Sequence, residues 1–220
     1  MQKYRFKLTG VTPLIQHADS IDWADAMTQW KNDPANRNKS VAGDDRTPAF
    51  RWIGCLWNDG ERVVIPAEAL AKSFMSAGAQ VPSGKGKGTF KSRTASAIRL
   101  ATPYAEFRCR GKEILMADIT PLMKETEYDK HRSAVSKLGF ELFAKRTTVG
   151  NSKHIRVRPR FTDWSCDGTL IVTDDGINQR VIEDIIGIAG DQKGLGDWRP
   201  SAPKSPGPFG IFKAEVSREA

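Results

Sequence analysis

The residues in this chain best suited to chemistry are arginines. From 153 to 163 it reads KHIRVRPRFTD, so Arg156, Arg158 and Arg160 recur at every second position. In an extended backbone that period places all three on one face and Ile155, Val157 and Phe161 on the other. Lys145, Arg146 and Lys153 precede them, and no Asp or Glu occurs between Ala144 and Thr162. Three like charges on one face repel. They are tolerated in solvent and favoured when a polyanion such as a phosphate backbone lies across them.

A second cationic stretch runs from 84 to 112. It carries Lys85, Lys87, Lys91, Arg93, Arg99, Arg108, Arg110 and Lys112 against a single acid, Glu106. Its first part, PSGKGKGTFK at 82–91, is too polar and glycine-rich to build a core and reads as a mobile loop. Glycines let a backbone approach phosphate closely, and Phe90 and Tyr104 offer rings on which bases could stack. The run lacks the terminal G-K-[ST] of a P-loop. A third stretch, GLGDWRPSAPKSPGPFG at 194–210, sets Trp198, a stacking ring, beside Arg199, a phosphate donor. Gly194, Gly196, Gly207 and Gly210 within it suggest turns with positive φ or close approach of another backbone.

Catalytic patterns are absent: there is no G-x-S-x-G, H-E-x-x-H or Walker motif. His17 and His131 are candidate acid–base groups without a partner at any diagnostic spacing. Asp22, Asp25, Asp33, Asp44 and Asp45 lie in an irregular stretch and are candidate metal-nuclease carboxylates, with Asp44 and Asp45 the pair to test. Cys55, Cys109 and Cys166 and the three histidines are too scattered for a zinc site, so no metal or other cofactor is expected and the thiols should be reduced and buried.

The elements that must hold these residues follow from periodicity. Positions 3–8 alternate as a half-buried strand, and 67–79 has helical spacing behind Pro66. Helical signals also occur at 22–30, 51–57 and 128–138, and 97–108 is extended. The arginine strand at 153–163 is followed by Asp167-Gly168, a hairpin-turn dipeptide that predicts a partner strand at 169–173. An amphipathic helix at 177–189 ends at Gly190, and a last strand begins near 209. The expected class is α+β: a βαββαβ core in one domain over 1–220, with insertions at about 17–60, 80–95 and 111–153. Such a sheet leaves one face free of helices, as in RNA-recognition folds.

The 220 residues, 39% hydrophobic, suffice for a packed core, and the net charge of +8 favours acidic partners. No apolar run reaches the length needed to span a bilayer and no signal-peptide stretch opens the chain, so it is expected in the cytoplasm with no membrane partner.

Strand 1 ends in T-G-x-T-P-L (Thr9, Gly10, Val11, Thr12, Pro13, Leu14), and a late G-x-G…G-x-F element spans Gly194, Leu195 and Gly196 to Phe209, Gly210 and Phe212. With the basic mid-chain insertions, this resembles the RAMP superfamily, which includes the Cas7- and Cas5-like subunits of CRISPR effector complexes in antiviral defence. The resemblance implies a ferredoxin-like (RRM-like) core, with the glycine-rich loop preceding the last strand. It further implies binding along single-stranded RNA, often as repeated copies or with other subunits, and thumb-like parts at 80–95 and 144–154. The prolines and Asp197-Trp198-Arg199-Pro200 depart from the small and basic residues usual in that loop. The two ends also resemble uncharacterised phage and prophage proteins. A phage recombination or single-stranded DNA-binding protein therefore stays open, as does a phage protein that docks its basic patches onto a host defence protein.

Overall fold

A computed structural model describes every residue except Ser40, Val41, Lys85 and Ala220, with backbone only at Val149. The elements run β1 (Gln2–Gly10), β2 (Leu14–Ile15), α1 (Ile21–Asn32), a 3-10 helix (Ala49–Cys55), β3 (Val64–Pro66), α2 (Ala67–Gly78), α3 (Lys91–Ala97), β4 (Ile98–Leu100) and β5 (Tyr104–Cys109). There follow α4 (Met116–Ile119), α5 (Tyr128–Lys137), β6 (Glu141–Val149), β7 (Ser152–Phe161), β8 (Trp164–Val172), α6 (Gln179–Ile188), a π turn (Ala189–Lys193) and β9 (Phe212–Arg218). The fold is α+β, in two compact units.

The sheet unit comprises Met1–Ile15, Val64–Glu113 and Thr162–Ala220. Its strands lie in the order β3-β5-β8-β1-β9, with β4 also on β8, and every pair is antiparallel. β1 alternates as its sequence dictates: Tyr4, Phe6 and Leu8 are buried, while Arg5 and Lys7 are exposed. Phe6 meets Phe74 of α2 edge-on at 6.5 Å. α6 starts where the Asn178 side chain accepts from the Val181 N–H, which satisfies one otherwise orphaned donor, and it buries Ile182, Ile185 and Ile186.

The hairpin expected at Asp167-Gly168 does not exist. β8 runs straight through both residues, pairing Asp167 with Lys7 and Gly168 with Phe6. A Cβ on Gly168 would come within 2.6 Å of the Phe6 ring, so this glycine makes room for an aromatic side chain. β7 pairs instead with the upstream strand β6, in register from Glu141↔Arg160 to Val149↔Ser152.

The hairpin unit comprises Gln16–Val63 and Ile114–Phe161. Its core centres on Trp52 (1% exposed), with Phe140 at 5.8 Å and Phe161 at 4.9 Å from Phe140. Among the four tryptophans of its first segment, Trp52 is core and Trp23, Trp30 and Trp57 are half-buried. The Trp23 ring lies where a Cβ on Gly54 would be, at 1.9 Å, so the chain needs glycine there.

Candidate nucleic-acid interface

Residues 43–45 are stitched to β7. The Ile155 N–H donates to the Gly43 carbonyl, and the Asp45 N–H donates to the Ile155 carbonyl. This brings the Asp45 side chain beside the arginine face of β7. Asp45 is 3% exposed and accepts from Arg156 Nη1 at 3.1 Å and Arg158 Nη1 at 3.3 Å, and it pairs with Arg51 Nη1 at 3.2 Å. Arg158 Nη2 donates to His17 Nε2 at 3.2 Å. A guanidinium can only donate, so this contact requires the Nε2 lone pair and a neutral His17 with its proton on Nδ1. Arg160 pairs with Glu141 at 2.9 Å and lies over the Phe143 ring at 4.4 Å.

The three strand arginines therefore do not form a solvated face. Each meets a carboxylate, and none of those carboxylates lies within the acid-free stretch. Glu141 comes from the partner strand and Asp45 from more than a hundred residues upstream. Asp45 is thus the buried key of an arginine cluster and not a surface acid. Asp44 is held by Arg46, whose hydrogen bond keeps its carboxyl below the usual range. No local pattern in the sequence marks Arg51 or Glu141 as members of this cluster.

The hairpin tip differs. Arg146 and Lys153 are exposed, Lys145 is half-exposed, and the loop at Gly150-Asn151 is exposed. Register puts Arg146 and Lys153 on one face of the hairpin and Lys145 with Arg156 on the other.

In the sheet unit, Lys85 lies outside the described residues. Lys87 and Lys91 are exposed, and Lys91 opens α3, a short helix between the loop at 82–91 and the extended segment expected at 97–108, which the structure forms as β4 and β5. Loop 82–90 is closed by the Ser83 N–H to the Gly88 carbonyl and the Phe90 N–H to the Val81 carbonyl. Phe90 is 5% exposed, which removes it as a stacking platform. Arg93 makes a two-pronged bond to Asp174, which pulls that carboxyl down to about 2. Tyr104 is exposed and lines an open groove of about 780 Å3 on the bare face of the sheet. There Arg5 and Lys7 face Glu106, Asp167 and Glu215, so the sheet face is mixed in charge and not a basic platform.

The glycine-rich loop is locked onto the T-G-x-T-P-L segment. The Val11 and Thr12 N–H groups donate to the Ile211 carbonyl, the Gly210 N–H to Pro13, the Ile211 N–H to Thr12 Oγ1, and the Asp197 N–H to Ile15. Gly194, Gly196 and Gly210 have φ of 68°, 76° and 72°. Gly207 has ordinary φ, but a Cβ there would lie 2.3 Å from the Trp198 carbonyl. Trp198 itself has φ 49° and packs its ring 6.5 Å from Phe209. Arg199 donates to Ser201 Oγ and the Gly196 carbonyl, which staples the loop internally.

His131 is a structural residue. Its Nδ1 accepts from Trp52 Nε1–H at 3.0 Å, which leaves the proton on Nε2, 3.1 Å from the Glu125 carbonyl. Burial pushes its pKa below the usual histidine value. The unfolded chain therefore binds this proton more readily, and the stability that neutral His131 contributes is complete above about pH 6.5 and lost as pH falls below it. The urea midpoint is expected to drop between about pH 7.5 and about 5.5, and His131→Gln should flatten that slope. A slope unchanged in the variant would remove His131 as its cause. All three cysteines are buried and free, and burial pushes Cys109 up to about 11 and raises Cys166 further, so neither is a thiolate near neutrality. Among the described residues no three His, Cys, Asp or Glu side chains gather as a metal site, and no helix is long and apolar enough to cross a membrane.

The fold and site define an α+β protein of two units in which a buried aspartate keys two of the strand arginines, Arg156 and Arg158. No family model and no curated protein matches the chain. A chain in the cryo-EM structure of the Type III-B Cmr-beta bound to cognate target RNA and AMPPnP aligns with 98% of this chain at 8% identity and a TM-score of 0.22. This chain spans 63% of that chain's length, and at such a TM-score the likeness carries no argument.

Proposed function

We propose that this protein is a nucleic-acid-binding subunit of the RAMP-like kind, which holds a single strand, RNA by preference, by its backbone. The observation that carries this reading is the β6–β7 tip, where Arg146 and Lys153 stand exposed and Lys145 half-buried in a stretch without a single acid. Exposed lysines and arginines neutralise phosphates without reading bases. Lys87 and Lys91, both exposed, add further cations on the sheet unit. The order β9-β1-β8-β5, antiparallel throughout and with one face bare, supports a ferredoxin-like core. The mixed charge of the bare face argues for binding through the basic projections and against the sheet surface.

The test is fluorescence anisotropy with RNA and DNA single strands of one length at several salt concentrations, comparing wild type with Lys145→Ala/Arg146→Ala/Lys153→Ala. Arg146 and Lys153 are exposed and Lys145 is partly so, and all three lie near the tip of the hairpin, so the fold should persist. Affinity should fall about 10- to 100-fold, and the slope of log K against log salt should decrease by about 2, at roughly 0.7 per phosphate contact on a single strand. Preference for DNA would favour the recombination or strand-protection alternative. Absence of binding at low salt to either polymer would overturn the proposal and turn attention to an acidic protein partner.

A further inference from the structure

The arginine cluster lines a cleft of about 330 Å3 that lies wholly within the hairpin unit, at the small end of the range for small-molecule sites. One wall is α1, which presents Trp23, Met27, Thr28 and Lys31 at helical spacing. The other wall is β7 with Arg156 and Arg158, and Arg51 and Asp45 lie between. Four cations, Lys31, Arg51, Arg156 and Arg158, line this cleft with two carboxylates, Asp19 and Asp45. The excess is two positive charges, and it persists if the exposed pair Asp19 and Lys31 is set aside.

A single aspartate suffices to position three guanidiniums but not to neutralise them. Arg51 and Arg156 keep 32% and 27% of their side-chain surface open, and each guanidinium brings five N–H donors in a planar fork that matches an oxyanion. Holding such forks close together costs mutual repulsion, which an anion of two charges seated among them would offset.

From this charge and geometry we infer that the cleft binds a phosphate monoester, a dianion, presented either by a free nucleotide or by the terminal phosphate of a strand. Asp45 fixes the forks, Arg51 and Arg156 grip the phosphate oxygens, and the Trp23 side of the cleft receives whatever the phosphate carries. This inference stands on the cleft alone and does not require the hairpin tip to hold a strand.

The test combines thermal shift and calorimetric titration at constant ionic strength with inorganic phosphate, adenosine monophosphate, and one oligonucleotide carrying either a 5′-phosphate or a 5′-hydroxyl. Two variants accompany wild type. Arg51→Lys/Arg156→Lys keeps the charge but loses the fork, and Thr28→Glu places a carboxylate at an exposed position on the cleft wall without touching the cluster. Wild type should bind adenosine monophosphate or the 5′-phosphorylated strand at least about 10-fold more tightly than the arginine double variant does, with binding lost in Thr28→Glu. A gain for the phosphorylated over the hydroxyl strand assigns the site to a chain end. Binding of adenosine monophosphate and phosphate without that gain assigns it to a free nucleotide. Equal, chloride-like behaviour of every phosphate ligand, or binding indifferent to both variants, would overturn the inference. Binding of both strands alike through the hairpin tip would leave the strand-holding reading intact in that case.

Discussion

Asp45→Ala is expected to lower the stability of the hairpin unit by about 3–5 kcal/mol, the usual consequence of removing one partner from a buried ionic cluster. The carboxylate is 3% exposed and holds Arg51, Arg156 and Arg158, of which Arg158 keeps only 10% of its side chain open. Its loss leaves like charges facing one another with little water to screen them. Asp45→Asn should cost less, because an acceptor oxygen remains, although the charge is gone. The neighbouring Asp44→Ala is the internal control. Its partner Arg46 is 49% exposed, so that change should cost no more than about 1 kcal/mol. Urea denaturation followed by tryptophan fluorescence reads all three. An Asp45→Ala midpoint within error of the Asp44→Ala midpoint would mean that solvent, and not Asp45, carries the arginine charges.

Gly210→Ala is the second large effect, expected at about 3 kcal/mol or more. The residue has φ 72°, a conformation that costs an L residue about 1–2 kcal/mol by itself. The added Cβ would lie 1.9 Å from the Leu195 carbonyl oxygen and 2.8 Å from the Leu195 carbonyl carbon and nitrogen, and backbone cannot swing aside as a side-chain tip would. The same movement would part the Gly210 N–H from the Pro13 carbonyl and the Ile211 carbonyl from Val11 and Thr12. Gly84→Ala offers the contrast: φ is 77° but the space is open, so only the conformational cost remains. Hydrogen exchange at Val11 and Leu195 should accelerate in Gly210→Ala and stay unchanged in Gly84→Ala. Retained protection at both amides in Gly210→Ala would show that the two chain ends are not interdependent.

Local periodicity encodes those elements that can be read from residue order alone. Alternation at 3–8 gave β1, and the apolar spacing at 177–189 gave α6, because each pattern names the face that must leave water. The α+β class followed from the order of such segments. Asp167-Gly168 shows where local signals fail. The dipeptide suits a turn, but Gly168 is glycine because the Phe6 ring occupies the space of its side chain, a demand made by a strand at the other end of the chain.

The arginine face fails in the same manner. Period two correctly placed Arg156, Arg158 and Arg160 together and implied that something must neutralise them. Solvent, a polyanion and a distant carboxylate all satisfy that requirement, and composition within the strand cannot choose among them. Only the path of the chain, which pairs residues 43–45 with β7 at Ile155, selected Asp45 and left a cationic cleft beside it. Periodicity is a property of neighbours in sequence, whereas charge pairing depends on distance in space, which the sequence leaves open until the chain has folded.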